Sequence, residues 1–289
     1  MKRALIIIAL GIFVLLSAQA ATRRALVIGI GDYPAESGWK TINGDKDIPL
    51  VEDILSANGF DKQNIVELKN EQATCAAIKS EFEKLIGKAQ TGDYIYIHFS
   101  GHGQQITDLN GDESDGLDEA WIPYDAKFAF AKGKYEGENH LVDDLLNQYL
   151  HRLREKIGAD GKIVVVADAC HSGSGSRAET EDEQQYVIRG TADAFVIPDA
   201  VAKSQTTAAL PSYGIEWTFI SACKPYQCNY EYNGNGSLTY ALHRQRTNFA
   251  TCSTEAIRQN IVACIAEIIL FTQTPVVDVS PGTETDIFL

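Results

Sequence analysis

The chain has 289 residues, 45% of them apolar and 22% charged, with a net charge of −14. That acidity excludes nucleic acid and anionic lipid as natural partners, because like charge repels both, and favours basic peptides or proteins as substrates. The length suffices for one large α/β domain, or for one domain with two subregions.

Residues 1–20 read as a secretory signal peptide. Lys2 and Arg3 make a positive start, 4–16 form an apolar core, and Ala18-Gln19-Ala20 is a small-residue cleavage site. The alternative is an uncleaved anchor, but the core is short for a span. The expected location is therefore periplasmic or secreted, with no membrane attachment once the leader is gone. Export permits disulfides. The cysteines are Cys75, Cys170, Cys223, Cys228, Cys252 and Cys264. If Cys170 is a free thiol, the rest cannot all pair; Cys223 and Cys228 are close enough in sequence to do so. No C-x-x-C zinc spacing occurs.

The first strand is predicted from residue 23, with 25–30 buried. Gly29-Ile30-Gly31 looks like the start of a nucleotide loop, but Asp32-Tyr33-Pro34 follows where a third glycine and a helix are needed. A helix is predicted over 47–58, a strand over 64–70, a helix over 74–87 and a strand over 93–99. This βαβαβ order implies parallel strands with right-handed crossovers. Residues 107–127 read as a long acidic loop. A helix over 141–157 leads into a strand that starts at Lys162. After Gly173 the chain turns polar and aperiodic, so 174–213 reads as a linker. A strand over 217–223, helices over 238–246 and 253–271, and a last strand over 274–280 complete the order. There is no internal repeat.

Two strands end in chemistry. KIVVVADACHSG, 162–173, is a short valine-rich run of the kind buried on both faces of a sheet, and it stops in Asp168, Ala169, Cys170 and His171. DYIYIHFSGHG, 93–103, runs into Ser100, Gly101, His102 and Gly103. In open α/β sheets the carboxyl edge is where ligands bind. If these strands are neighbours, a thiol and an imidazole face each other there, which is the arrangement of covalent catalysis. A lone cysteine is more often a buried apolar residue, and a lone histidine a hydrogen-bonded one. Both at strand ends shift the balance toward chemistry. His171 is a rival base, but adjacent side chains at a strand end diverge, so His102 is preferred. Asp168, two residues before Cys170, points the same way along the strand and suits a positively charged side chain; its alternative role is capping.

HFSGHG followed by VVVADACHSG resembles the histidine and cysteine blocks of caspase-like cysteine peptidases, most closely the metacaspases and their bacterial relatives. The likeness runs over about residues 24–279. It implies an α/β three-layer sandwich with a mainly parallel six-stranded sheet between helices. Residues 21–173 would be the large-subunit-like part and 214–289 the small-subunit-like part of one domain. It implies a His102/Cys170 dyad, with oxyanion donors at the backbone N–H groups of Cys170 and Gly103. It implies a pocket for Arg or Lys lined by Asp168, Asp47 and Ser100. The block around Asp47 reads Gly44-Asp45-Lys46-Asp47, without the family's cysteine and asparagine, and Asp47 also suits an N-cap.

The acidic loop, with Asp108, Asp112, Glu113, Asp115, Asp118 and Glu119, does not fit an EF-hand and otherwise reads as a solvated face. The resemblance implies calcium ligands at Asp118, Asp143 and Asp144, while a fourth ligand position holds Arg177. No cofactor is needed for the chemistry itself. The expectation is an exported endopeptidase acting on peptides or proteins after Arg or Lys. Self-cleavage is expected after Arg177, Arg189 or Lys203, with the last two better placed. The alternative is a catalytically silent module of the same fold that binds peptides or protein partners.

Overall fold

The computed structural model describes residues 21–170, 186–205, 216–280, 283 and 286–289. Besides short 3-10 turns, β1 (Arg23–Gly29), α1 (Ile48–Ala57), β2 (Ile65–Lys69), α2 (Cys75–Lys88) and β3 (Tyr94–Ser100) come first. β4 (Gly103–Thr107), β5 (Leu117–Trp121), β6 (Leu141–Val142), α3 (Asp143–Ile157) and β7 (Lys162–Asp168) follow. Then come α4 (Asp199–Gln205), β8 (Thr218–Ser221), β9 (Glu231–Tyr232), β10 (Asn235–Gly236), α5 (Ser237–Arg244), α6 (Thr254–Ile268) and β11 (Val276–Asp278).

The main sheet has six strands in the order β2-β1-β3-β7-β8-β11. All neighbours are parallel except β11, which runs antiparallel to β8. Side chains alternate along each strand, so each strand feeds two cores. On one face Leu26, Ile28, Ile97 and Val165 pack against Ile78 and Phe82 of α2 and Leu150 and Leu153 of α3. On the other, Val27, Tyr96, Val164 and Val166 pack against Val51 of α1, Leu238 of α5 and Ile261 of α6. The three-layer sandwich expected from the sequence is the one formed. Among the described residues no helix is long and apolar enough to cross a membrane.

Two departures bear on the site. The stretch 107–127, read as a loop, contains β5, which pairs antiparallel with β4 and β6. Asp118 and Glu119 hide this strand from a propensity reading, while its apolar positions, Ala120 and Trp121, are buried. Within 186–197, read as part of a polar linker, Arg189, Phe195 and Ile197 are buried. Phe195 is buried and donates its N–H to the Gln105 carbonyl of β4. The six cysteines form no disulfide.

Candidate active site

β3 and β7 are adjacent and in register, with Ser100 opposite Asp168. His102 and Cys170 therefore each stand two residues beyond a paired position, on one carboxyl edge. The His102 ring is stacked on Trp39 at 4.8 Å and tilted against Tyr33 at 5.1 Å. Its Nε2 lies 2.8 Å from the Lys40 carbonyl. A carbonyl only accepts, so Nε2 carries the proton and Nδ1 keeps the lone pair. Nδ1 is buried and has no hydrogen-bond partner among the described residues. Burial pushes the His102 pKa down to about 4, with the Lys40 carbonyl opposing and the Arg189 charge assisting. The ring is neutral and able to accept a proton. The Tyr33 hydroxyl fixes the turn, accepting from His102 N–H at 3.0 Å and donating to the Ile122 carbonyl at 2.9 Å.

The Cys170 thiol is buried and donates to the Gln227 carbonyl at 2.9 Å, a carbonyl that also accepts from Cys223 Sγ at 3.2 Å. The hydrogen bond with Cys170, together with burial, pushes the Cys223 thiol pKa up, so Cys223 stays protonated. The Cys170 backbone N–H donates to the carbonyl oxygen of Arg189 at 2.7 Å. Gly103 opens β4, opposite Trp121.

Arg189 is fully buried. Its Nη1 lies 2.6 Å from Asp47 Oδ2 and 3.5 Å from Asp168 Oδ1, and its Nε lies 3.0 Å from Glu231 Oε1. Asp47 sits at the N-cap position of α1 yet makes no capping bond. Its carboxylate instead accepts from Ser100 Oγ at 2.8 Å and from Gly236 N–H at 3.0 Å. Burial opposes its ionisation, but Arg189 and these donors win and hold its pKa below the usual carboxylate range. Asp168 accepts from Asn229 Nδ2 at 2.7 Å, Thr239 N–H at 2.7 Å and Thr239 Oγ1 at 2.6 Å. Burial raises its pKa, with Arg189 only partly offsetting. Breaking a buried pair of this kind by removing one partner costs about 3–5 kcal/mol.

The backbone around Arg189 is extended. Ile188 pairs antiparallel with Tyr230; Arg189 N–H donates to the Asn229 carbonyl and Glu231 N–H to the Val187 carbonyl, each at 3.0 Å. Gly190 bridges to Cys170, and a Cβ on it would lie 2.1 Å from the Cys170 carbonyl oxygen, so only glycine fits. The Arg189–Gly190 peptide bond thus lies against the thiol-bearing residue, with its carbonyl oxygen on a backbone N–H.

Glu231 was not legible as a pocket residue. It lies on the two-stranded hairpin β9–β10, turned by Asn233 and Gly234, both at positive φ, with Gly236 directly opposite. The Asn-Gly pair was the available signal. Of the other arginine and lysine candidates, Lys203 is exposed on α4, and Arg177 lies outside the described residues.

A second cluster lies at the tip of the β4–β5 hairpin. The Asp108 carboxylate accepts from the N–H groups of Asn110, Gly111 and Glu113. Asp108, Asp112 and Asp118 bring oxygens within 4.8 Å of one another. Burial, then the charges of Asp143, Asp108 and Asp144, push the Asp118 pKa up to about 8. Burial and Glu119 push Asp143 up to about 7, and its Oδ1 is buried without a partner among the described residues. Crowded carboxylates with an orphaned oxygen are what a hard divalent cation takes. A cavity of about 300 Å³ connects Asp143 and Glu119 to Cys170 and Cys223.

Comparisons with known proteins identify the family and the fold. The family model described as metacaspase, peptidase C14 domain, matches residues 23–177. Metacaspase-1 of Eremothecium gossypii is 33% identical over 160 residues, 53% of this chain and 32% of that protein. Metacaspase-1A of Aspergillus oryzae is 34% identical over 167 residues, 55% of this chain and 36% of that protein. The match thus spans about a third of the length of these relatives. A crystal structure of a protein from Geobacter sulfurreducens shares the fold, with a TM-score of 0.65 and 22% identity over 92% of this chain and 97% of its own. The chain belongs to the metacaspase family and carries its peptidase C14 domain.

Proposed function

We propose that this protein is an exported cysteine endopeptidase that cleaves after Arg or Lys, and that its own Arg189–Gly190 bond is its first substrate. One observation carries the reading. The Arg189 side chain fills a pocket of Asp47, Asp168 and Glu231 while its carbonyl oxygen accepts from Cys170 N–H. Lysine would meet the same acids as a point charge.

The proposed chemistry starts as the Cys170 thiol leaves the Gln227 carbonyl and gives its proton to His102 Nδ1. The sulfur then forms a bond to the Arg189 carbonyl carbon. The charge that builds on the carbonyl oxygen rests on Cys170 N–H; losing one such donor typically costs about 10²–10³ in rate. The protonated Nδ1 passes its proton to the Gly190 nitrogen as the C–N bond breaks. Water then loses a proton to Nδ1 and attacks the thioester, and the sulfur leaves and recovers that proton. Throughout, the Lys40 carbonyl holds Nε2–H and keeps the ring oriented.

The acids Asp108, Asp112, Asp118, Asp143 and Asp144 would hold calcium, which would neutralise their mutual repulsion and brace the hairpin against α3. The leader pattern in residues 1–20 supports export. Mass spectrometry of the purified full chain beside Cys170→Ala tests the central reading. A new terminus at Gly190 in the wild type alone is expected. Cutting in both proteins, or in neither, overturns self-cleavage. Turnover of Asp-terminated but not Arg- or Lys-terminated fluorogenic peptides overturns the basic preference.

A further inference from the structure

We propose that the cleft also contains a subsite for an aromatic side chain, three residues before the basic one, built by Tyr230 and Phe271. The inference rests on the reading above, in which Arg189 marks the residue before the scissile bond.

Residues 186–189 run antiparallel to 229–231. The two flanking hydrogen bonds make Ile188 and Tyr230 a non-hydrogen-bonded pair, the kind in which side chains come closest. Alternation then puts Tyr186 and Ile188 on one face of the segment and Val187 and Arg189 on the other. The Tyr186 ring meets Tyr230 at 5.9 Å and 78°, and Phe271 at 5.3 Å and 87°. Both contacts are edge-to-face, the arrangement that aromatic pairs favour. Ile188 packs on the same apolar cluster. Val187 is 37% exposed and meets no comparable wall.

The walls stay in place without the occupant. Phe271 belongs to the segment after α6, and Gln273 ties that segment to the cleft strand. Its Oε1 accepts from Tyr230 N–H at 3.1 Å, and its Nε2 donates to the Ala222 and Asn229 oxygens at 3.0 Å and to Ser237 Oγ at 2.7 Å. Tyr230 and Phe271 also contact each other at 5.3 Å. Once the Arg189–Gly190 bond is cut, the strand bearing Tyr186 becomes a product end and those two ring faces become available to an incoming peptide. The substrate class is therefore aromatic, any residue, aliphatic, then Arg or Lys.

The test uses the full chain after self-cleavage and the fluorogenic peptides Tyr-Val-Ile-Arg, Ala-Val-Ile-Arg and Tyr-Ala-Ile-Arg. Losing the tyrosine should lower kcat/KM by about tenfold or more. Alanine in place of valine should change it by less than about twofold, given that residue's exposure. Phe271→Ala should narrow the Tyr-to-Ala ratio; should that variant not fold, the peptide series with the wild-type chain decides alone. Equal turnover of the first two peptides overturns the subsite and leaves the basic preference standing. Turnover of Tyr-Val-Ile-Asp, run beside them, with none of the three Arg peptides cleaved overturns the basic preference itself.

Discussion

At the scale of single residues, His102 keeps one nitrogen uncommitted because the other is bound to a backbone carbonyl. That partner, Lys40, is invisible to any search for a third catalytic side chain, since any residue carries a carbonyl. The same burial sets a pH dependence. Imidazole is a base only while neutral, and the folded value near 4 lies below the ordinary 6.5. The neutral form therefore persists as pH falls through the range where a solvated histidine would protonate. The first-order rate of self-cleavage, followed from pH 7 downward, should stay level to about pH 5 and fall only below it. An acid limb centred near the ordinary histidine value would mean that the ring is hydrated in solution. Arg189 illustrates a different limit of sequence reading. Its residue type made it a candidate cleavage point, but nothing in the surrounding polar stretch announced that three acids bury it.

At the scale of elements, the strands that carry His102 and Cys170 were readable because both faces are apolar and the break into Gly and His is abrupt. The hairpin β9–β10 was not, being only two residues a side, and with it went Glu231. The β4–β5 hairpin was obscured by its acids. If those acids and the start of α3 hold calcium, adding the ion should stabilise the fold. A concentration 100 times the dissociation constant adds about 2.7 kcal/mol. Thermal unfolding of Cys170→Ala, which keeps the chain in one piece, should show this as a calcium-dependent rise in Tm. Asp143→Ala should remove most of the rise. A Tm indifferent to calcium and chelator would leave the cluster a solvated face.

At the scale of the molecule, the proposed cut after Arg189 would fall between strands that share a sheet. β7 precedes Arg189, whereas β8 and β11 follow it, and β8 is paired with β7 along Val164–Ala167. The second core likewise joins α1 to α5 and α6. The two pieces should therefore stay together after cleavage. Native mass spectrometry should report the mass of the whole, and denaturing electrophoresis two fragments. Separation under native conditions would mean that the parts before and after the cut fold independently.

If Arg189 is the first substrate, as proposed, its place among the three acids has a kinetic consequence. It is delivered by the chain's own tether, so its effective concentration is set by geometry rather than by supply, typically on the order of millimolar. An outside peptide competes against that figure until the tether is broken. The first turnover is then unimolecular and runs at the same rate in dilute and concentrated solution, while every later one is bimolecular and depends on substrate supply. On that proposal the uncut chain would behave as a clock started by folding, and the pool of cleaved protein would grow with time rather than with encounter.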